Sequence, residues 1–234
     1  SEYISTSAKL QVGHPPGAPL FQMLGAIFST FAFESDQIAL SVNMMSVTSS
    51  ALTILFLFWS ISYLIKQQGE LDEDPITINE AFKIFGSSAL GCLTFTFTDS
   101  FWFNAVEAEV YAMATLILSL LFWLGLKWID NLDSKRGDKW LILICFVIGL
   151  SFGVHFMGLL AIPAIGLLYY FKKYSFSIKS FLLANIVSIS ILLFIFKLLL
   201  PSTLSIFGYI EVFFVNEIGL PFNFGTIFSA ISMI

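Results

Sequence analysis

Two histidines and several carboxylates stand where an otherwise apolar sequence is interrupted. His14 lies in KLQVGHPPGAPLF (9–21), Glu107 and Glu109 lie in DSFWFNAVEAEVY, and His155 follows GLSFGV. Imidazole and carboxylate groups serve as general acids and bases, and carboxylates also bind hard divalent cations. These residues are the first candidates for chemistry, and the apolar segments between them must position them.

The composition indicates a membrane protein. Hydrophobic residues make up 57% of the 234 residues and charged residues 12%, whereas a soluble domain carries about 25% charge. Several apolar stretches approach the ~20 residues with which a helix crosses the hydrocarbon core. We therefore predict an all-α, polytopic transmembrane helix bundle rather than a soluble fold or a barrel. The two cysteines have no CxxC or Cys/His spacing, so the sequence supports neither a disulfide framework nor a zinc site.

The apolar pattern divides the chain into loops and spans. Residues 1–37 are predicted to form an outer loop with an interfacial or re-entrant helix over 18–33, and Thr77 with Glu80 predicts a capping box. Residues 201–234 are predicted to be another outer loop and the start of a further span, so 1–234 is interpreted as one transmembrane domain of a longer chain. Membrane spans are predicted at 38–64, 84–98, 110–128, 140–154, 156–171 and 180–200, the last closed by Pro201.

The distribution of Lys and Arg gives the orientation, because these residues accumulate in cytoplasmic loops. Six crossings place nine of the eleven Lys and Arg residues on one side, in the loops 66–83, 127–139 and 172–179. These loops are predicted to be cytoplasmic. Only Lys9 and Lys197 fall on the other side.

This topology sends the candidate residues to the outer side. A carboxylate at a membrane boundary is costly unless it is hydrated or paired, so such groups usually line a wet cavity. We predict one polar pocket at the outer mouth of the bundle, formed by Glu2, His14, Glu107, Glu109 and His155.

Each candidate also has a purely structural interpretation. Glu107 and Glu109 are placed in the first turn of a helix, with Glu107 on the face of Tyr111, where the helix dipole alone favours acids. His155 can be a turn residue satisfied by backbone carbonyls, and the segment after His14 can be an ordinary helix start. Lys197 can snorkel outward, or it can bind an anionic ligand such as a lipid phosphate.

Four blocks resemble a known family: GHPPGAPLF, VNMMS, DSFWFNAVEAEVYA and GVHFMGLLAIPAI. They are similar to bacterial membrane proteins, frequent in Bacteroidetes, whose animal relative is a transmembrane protein O-mannosyltransferase. More distantly, the chain resembles the GT-C superfamily of multi-spanning glycosyltransferases. Those enzymes take sugars from polyprenyl-phosphate donors on the outer side of the membrane. The resemblance covers nearly the whole chain.

The resemblance implies a GT-C-like fold and an inverting sugar transfer with a lipid phosphate as leaving group. The family's acidic motif reads Asp, two residues, then Glu; Glu2 matches its Glu, and the Asp would precede Ser1, so this piece is expected to be inactive alone. The expected catalytic residues are Glu2, His14, Glu107 and Glu109. The expected substrate-binding residues are Lys9, Pro15, Pro16, Asp99, Tyr111, His155 and Lys197.

The expected environment and partners follow from the same interpretation. The protein is placed in the bacterial inner membrane with its active face toward the periplasm. Its partners are the lipid bilayer, a polyprenyl-linked sugar donor and a protein or glycan acceptor, with no nucleic acid. No metal site is predicted; a divalent cation suits the carboxylates, but no ligand spacing requires one.

Two other function classes stay open at this point. A transporter or flippase of a lipid-linked saccharide would also place polar residues at the membrane boundary. The acids cluster at one face, however, and no pair of broken helices lies near mid-membrane, as many transporters have. The third class is a noncatalytic membrane scaffold.

Overall fold

The chain is helical, as predicted. A computed structural model describes residues 2–14, 17–68 and 77–232, and within these ranges it contains helices and no β-strand. The chain divides into two compact units, Ser1–Ser175 and Phe176–Ile234.

Among its described residues, the first unit contains eight α-helices and two short 3₁₀ turns, at Ser35–Gln37 and Phe156–Leu160. The α-helices are α1 (Glu2–Ala8), α2 (Pro19–Ser29), α3 (Ile38–Gln68), α4 (Ile78–Thr96), α5 (Asp99–Ala105), α6 (Val110–Asp130), α7 (Asp138–Ser151) and α8 (Ala161–Lys173).

Helices of membrane-spanning length identify an integral membrane protein with several crossings. In the described part of the chain, four helices are long and apolar enough: Ser35–Gln68, Val110–Asp130, Phe156–Lys173 and Ile178–Glu217. The further crossings predicted at 84–98 and 140–154 coincide with α4 and α7, which fall outside that set and stay predictions. At 11 residues, α2 is about 16 Å long and too short to cross.

Helix α6 lies at the centre of the first unit. It packs against α3, α7 and α8, and Met113, Ile117, Leu121 and Leu124 are buried along its length. The buried residues of α3 are mostly small and polar, Ser49 and Thr53 among them. Small side chains let helix backbones approach closely, so the serine-rich sequence of α3 is explained by packing.

Hydrogen bonds fix the start of α4 and its contact with α3. The Ser62 hydroxyl on α3 donates to Ser88 on α4 at 2.9 Å. The predicted capping box at the start of α4 is confirmed, because the Thr77 N–H donates to the Glu80 carboxylate at 2.8 Å and the Glu80 N–H donates to the Thr77 hydroxyl. Both contacts satisfy N–H groups that a helix start leaves without partners.

The start of α2 is anchored to the turn between α7 and α8. Pro19 occupies the first helical position, where a missing N–H costs no hydrogen bond. The next two N–H groups, of Leu20 and Phe21, both donate to the Gly153 carbonyl, at 2.8 and 3.2 Å. Gly17 turns the chain into this helix with φ +77°, a conformation that glycine adopts without strain. The segment that carries His14 is thereby held beside residues 152–156.

The second unit is dominated by one long helix, Ile178–Glu217. It comprises α9 (Ile178–Phe194) and α10 (Leu200–Val212), with π-helical turns at Ile195–Leu199 and Phe213–Glu217. Our prediction that Pro201 closes the span is wrong. The π-turn directly before Pro201 widens the helix where the proline ring would otherwise clash with a preceding carbonyl, and the helix continues.

A short helix, α11 (Phe224–Ser232), folds back on α10. The Glu211 carboxylate accepts the N–H of Thr226 at 2.8 Å and also that of Asn223. This acid therefore caps the start of α11, which is a structural role within the second unit.

Candidate functional site

A polar cavity of about 280 Å³ lies in the first unit. Four segments form its walls: α1, the segment before α2, the start of α6 and the turn at 152–156. Its polar lining residues are Tyr3, His14, Glu109, Tyr111 and His155. We call this space the polar cavity; it unites four of the predicted site residues, His14, Glu109, Tyr111 and His155, with Tyr3, which we did not predict.

Glu2 holds His14 at the edge of the polar cavity. Its carboxylate accepts the backbone N–H of His14 at 2.8 Å, and its other oxygen lies 2.8 Å from the Nδ1 of the same residue. The backbone hydrogen bond, together with the side-chain contact, lowers the pKa of Glu2. Glu2 therefore remains a carboxylate at neutral pH, and the nitrogen facing it carries the proton.

Glu109 lies in the wall of the polar cavity, directly before α6. Our prediction that Glu107 and Glu109 occupy the first helical turn is wrong: α6 begins at Val110, Glu109 is its N-cap residue, and Glu107 lies in the preceding bend. The chain has to change direction between α5 and α6, and the N–H of Glu109 donates to the Glu107 carbonyl at 2.8 Å within that bend. Glu107 therefore does not share a helix face with Tyr111.

The environment of Glu109 disfavours its charge. Burial raises the pKa of the Glu109 carboxyl, and the neighbouring Glu107 carboxylate raises it further. A raised pKa brings a carboxyl group closer to the pH at which it can exchange protons with a ligand.

His155 completes the opposite wall. It precedes the 3₁₀ turn Phe156–Leu160, and its Nδ1 accepts the N–H of Met157 at 3.2 Å. The backbone interpretation is thus partly right, although the imidazole accepts from the backbone rather than donating to it. Its ring centroid lies 5.6 Å from that of Tyr111, so the two side chains form one wall.

Tyr3 is the site residue that sequence reasoning missed. Its ring lies 6.1 Å from the ring of His14 and 5.2 Å from that of Phe21, centroid to centroid. Burial raises the pKa of the Tyr3 hydroxyl, and the charge of Glu109 adds to the effect. The only available signal was its position beside Glu2 on a seven-residue helix.

Other predicted site residues lie elsewhere or outside the described ranges. Lys9 is exposed just after α1, and Asp99 is exposed in the first turn of α5; neither lines the polar cavity. Lys197 belongs to the second unit, in the π-turn Ile195–Leu199, with its Nζ 5.7 Å from the ring centroid of Phe196. Pro15 and Pro16 fall outside the residues that the structure describes.

The described residues contain no group of three or more His, Cys, Asp or Glu side chains placed to hold a metal ion. Of the predicted acids, Glu2 is engaged by His14 and Glu109 stands at the cavity wall, so the chemistry that this arrangement offers is proton transfer and hydrogen bonding.

We expect Glu109→Gln to stabilise the protein at neutral pH. Because the pKa of Glu109 is raised in the folded state, its stabilising contribution is full at low pH and is lost as the pH rises through the raised pKa. Glutamine keeps the shape and removes the charge. The melting temperature should rise by about 1–2 °C at pH 8, with little change at pH 4, in thermal unfolding in detergent. An equal shift at both pH values would contradict a charge-based cause.

Comparisons with known proteins identify the family of the chain. A family model described as "Protein O-mannosyl-transferase TMEM260 N-terminal domain" matches residues 1–178. The protein named "Protein O-mannosyl-transferase TMEM260" from Mus musculus is 28% identical over 153 residues, which is 64% of this chain and 19% of the relative. The protein of that name from Dictyostelium discoideum is 23% identical over 140 residues, or 59% of this chain and 15% of the relative.

The chain thus matches about a fifth or less of the length of these two relatives. No solved structure gives a significant match. The resemblance to the animal O-mannosyltransferase, predicted from four sequence blocks, is confirmed. The family model covers 178 of the 234 residues, and the chain therefore belongs to the family of protein O-mannosyl-transferase TMEM260 N-terminal domains.

Proposed function

We propose that this chain is part of an inverting membrane glycosyltransferase of the GT-C type. It moves a mannose-like sugar from a polyprenyl-phosphate donor to a Ser or Thr hydroxyl, or to a glycan, on the non-cytoplasmic side. The observation that carries the proposal is that the polar cavity and an apolar groove follow one another along α6 and share the 3₁₀ turn Phe156–Leu160 as a wall.

The groove has a volume of about 430 Å³ and lies between α3, α4, α6 and α8. On α6, Tyr111 lines the polar cavity, and Thr115, Leu118 and Phe122 line the groove. These positions are spaced by four, three and four residues, so they lie along one helix face. From Tyr111 to Phe122 that face extends about 16 Å, a path suited to a hydrocarbon chain whose head group occupies the polar cavity.

The groove's hydroxyl groups do not make it polar. Three residues with hydroxyls line it, and each donates to a carbonyl of its own helix: Thr53 to Ser49, Thr115 to Tyr111 and Ser119 to Leu116. They present carbon atoms to the groove, which therefore suits a hydrocarbon rather than a sugar or an ion.

The polar cavity provides the groups that the sugar-phosphate head of such a substrate requires. An inverting transfer requires a proton acceptor for the attacking hydroxyl and hydrogen-bond donors for the departing phosphate. Histidine, tyrosine and a carboxyl group of raised pKa surround one space. The excess of Lys and Arg in the loops at the opposite ends of the helices supports a non-cytoplasmic position, which in a bacterium is the periplasm.

Transfer of labelled sugar tests the proposed function. Membranes that contain the full-length protein are incubated with polyprenyl-phosphate mannose labelled in the sugar. We expect the label to move to serine or threonine of a protein acceptor, or to a glycan. Movement of intact lipid-linked sugar across the membrane, without transfer to an acceptor, would instead support a flippase and contradict the proposal.

Filling the groove should weaken binding of long-chain donors. Ala164 lines the groove on α8, so Ala164→Phe places an aromatic ring in the path of the hydrocarbon. We expect the KM for a long-chain donor to rise about tenfold, while the KM for a short-chain donor stays the same. Ile142→Phe, on an exposed face of α7, is the matched control. Equal effects on both donor lengths would exclude the groove as the tail site.

A further inference from the structure

The two histidines of the polar cavity have hydrogen-bond partners of opposite kind. The partner of His14 is a carboxylate, which can only accept, whereas the partner of His155 is a backbone N–H, which can only donate. In both residues the partner faces Nδ1. Nε2 is therefore the ring nitrogen left for a ligand in each case, but with opposite character.

The Glu2 carboxylate fixes the tautomer of neutral His14. Its Oε2 lies 2.8 Å from Nδ1, and its Oε1 accepts the backbone N–H of the same residue at 2.8 Å. Nδ1 must therefore carry the proton that it donates to Glu2. A neutral imidazole has one N–H, so Nε2 of His14 carries a lone pair and accepts hydrogen bonds.

The backbone of Met157 fixes the other tautomer. Its N–H donates to Nδ1 of His155 at 3.2 Å, and the N–H of His155 itself donates to the Ser151 carbonyl at 2.7 Å. The residue is thus held at both its backbone and its ring. Nδ1 provides the lone pair, so the proton lies on Nε2, which is a hydrogen-bond donor.

We propose, on the basis of the proposed function, that His14 Nε2 accepts the proton of the attacking hydroxyl and that His155 Nε2–H donates a hydrogen bond to the donor's phosphate. Glu2 is then a positioning residue, which holds the His14 ring and stabilises the imidazolium. The polar cavity thereby distinguishes its two substrates, because one histidine accepts from a hydroxyl and the other donates to an anion.

The reaction balances with these groups alone. The hydroxyl oxygen of the acceptor forms a bond to the anomeric carbon of the sugar, and the bond from that carbon to the phosphate oxygen breaks. The phosphate leaves with the electron pair as polyprenyl phosphate. The hydroxyl proton moves to His14 Nε2, where the imidazolium pairs with the Glu2 carboxylate until water removes the proton.

Other titratable groups line the same space and must be separated from His14. Facing it are Glu2 and Tyr3 from α1, Glu109 and Tyr111 from the segment that begins α6, and His155 from the turn after α7. The nearest rival is Glu109, because a carboxyl group of raised pKa can also accept the proton. Its Glu109→Gln variant is therefore included in the test.

Asparagine provides a matched substitution at both histidines. In His14→Asn the side-chain N–H replaces Nδ1–H and still donates to Glu2, but no group replaces Nε2. In His155→Asn the side-chain oxygen replaces Nδ1 and still accepts from Met157, but Nε2–H is lost. We expect His14→Asn to lower kcat by about 100-fold or more and to remove the acidic limb of the pH profile, with the KM for the donor unchanged. We expect His155→Asn to raise the KM for the donor about tenfold and to keep the acidic limb.

Imidazole ¹⁵N NMR of the full-length protein tests the tautomers without the reaction. We expect Nδ1–H at His14 and Nε2–H at His155, and a shift of the His155 Nε2 resonance when a short-chain polyprenyl phosphate is added. The opposite tautomer at either residue would overturn the proposal. The proposal would also be overturned if His14→Asn kept the wild-type kcat and pH profile while Glu109→Gln lost the acidic limb. In that case the protein would still transfer sugar, and the proposed function would stand. A wild-type protein that transfers no sugar overturns both the proposed function and these roles.

Discussion

We expect Glu2→Gln to transfer sugar about 100-fold or more slowly than the wild type, the range expected when general-base catalysis is lost. The glutamine amide can accept the backbone N–H of His14 through its oxygen, but its nitrogen cannot accept the proton on Nδ1. The imidazole then loses the partner that fixes its tautomer and that stabilises its charge. The loss should appear in kcat, because the donor contacts are unchanged.

The matched control is Glu34→Gln, which alters an exposed acid that makes no side-chain cap at the 3₁₀ turn Ser35–Gln37. Its transfer rate should equal that of the wild type. Glu2→Asp should recover part of the rate, since a carboxylate is restored on a shorter side chain. If Glu2→Gln kept the wild-type kcat while His14→Asn was inactive, His14 would act without the carboxylate. That result would contradict the positioning role of Glu2.

The pH dependence of the Glu2–His14 contact follows from the same chemistry. The pKa of Glu2 is lowered in the folded state, so the contact stabilises the fold fully above the ordinary pKa of a glutamate and is lost as the pH falls through the lowered value. The contact between Glu2 on α1 and His14 is therefore intact over the neutral pH range in which the enzyme would work.

The second large effect is expected from Gly153→Val. A Cβ atom at this position would lie 2.7 Å from the Leu20 Cβ and 3.2 Å from the Leu20 nitrogen. The added side chain must push α2 away from the turn whose carbonyl accepts its first N–H groups. Overpacking of this kind costs about 1–3 kcal/mol, and two hydrogen bonds are disturbed in addition. We expect the melting temperature to fall by about 5–10 °C and sugar transfer to be lost.

Gly149→Val is the matched control, because no heavy atom lies within 4 Å of a Cβ at that position, one turn earlier along the chain. Its melting temperature should change by no more than about 2 °C. Similar losses in both variants would mean that valine is harmful throughout this part of the chain, at the end of α7 and in the turn that follows it. The contact between α2 and the turn at 152–156 would then not be the cause.

Much of the architecture can be predicted from the sequence, because a helix that crosses a lipid bilayer must be apolar and about 20 residues long. Apolar runs of sufficient length predicted the helical fold class, and Thr77 with Glu80 predicted the capping box that starts α4. The grouping of His14, Glu109 and His155 followed from orientation alone, since loops on one side of a membrane lie within reach of each other.

The remaining features depend on contacts between distant segments, which sequence patterns do not encode. Nothing near Leu20 indicates that its N–H donates to Gly153, and nothing near Tyr3 indicates that its ring will lie beside His14. Two predictions from local sequence patterns were also wrong. Acids before an apolar run usually occupy the first helical turn, but here a change of chain direction puts Glu107 and Glu109 outside α6. A proline usually ends a helix, but a π-turn lets the helix pass through Pro201.

Accessibility labelling most directly tests whether three of the four segments that form the polar cavity meet on the non-cytoplasmic face. Single cysteines replace His14, Glu107, His155 and, as a control on the predicted cytoplasmic loop, Lys135, in a protein without other cysteines. With a membrane-impermeant maleimide and sealed vesicles of known orientation, we expect the first three positions to be labelled from the non-cytoplasmic side and Lys135 only from the other. Labelling of His14 and Glu107 from opposite sides would show that no common cavity exists.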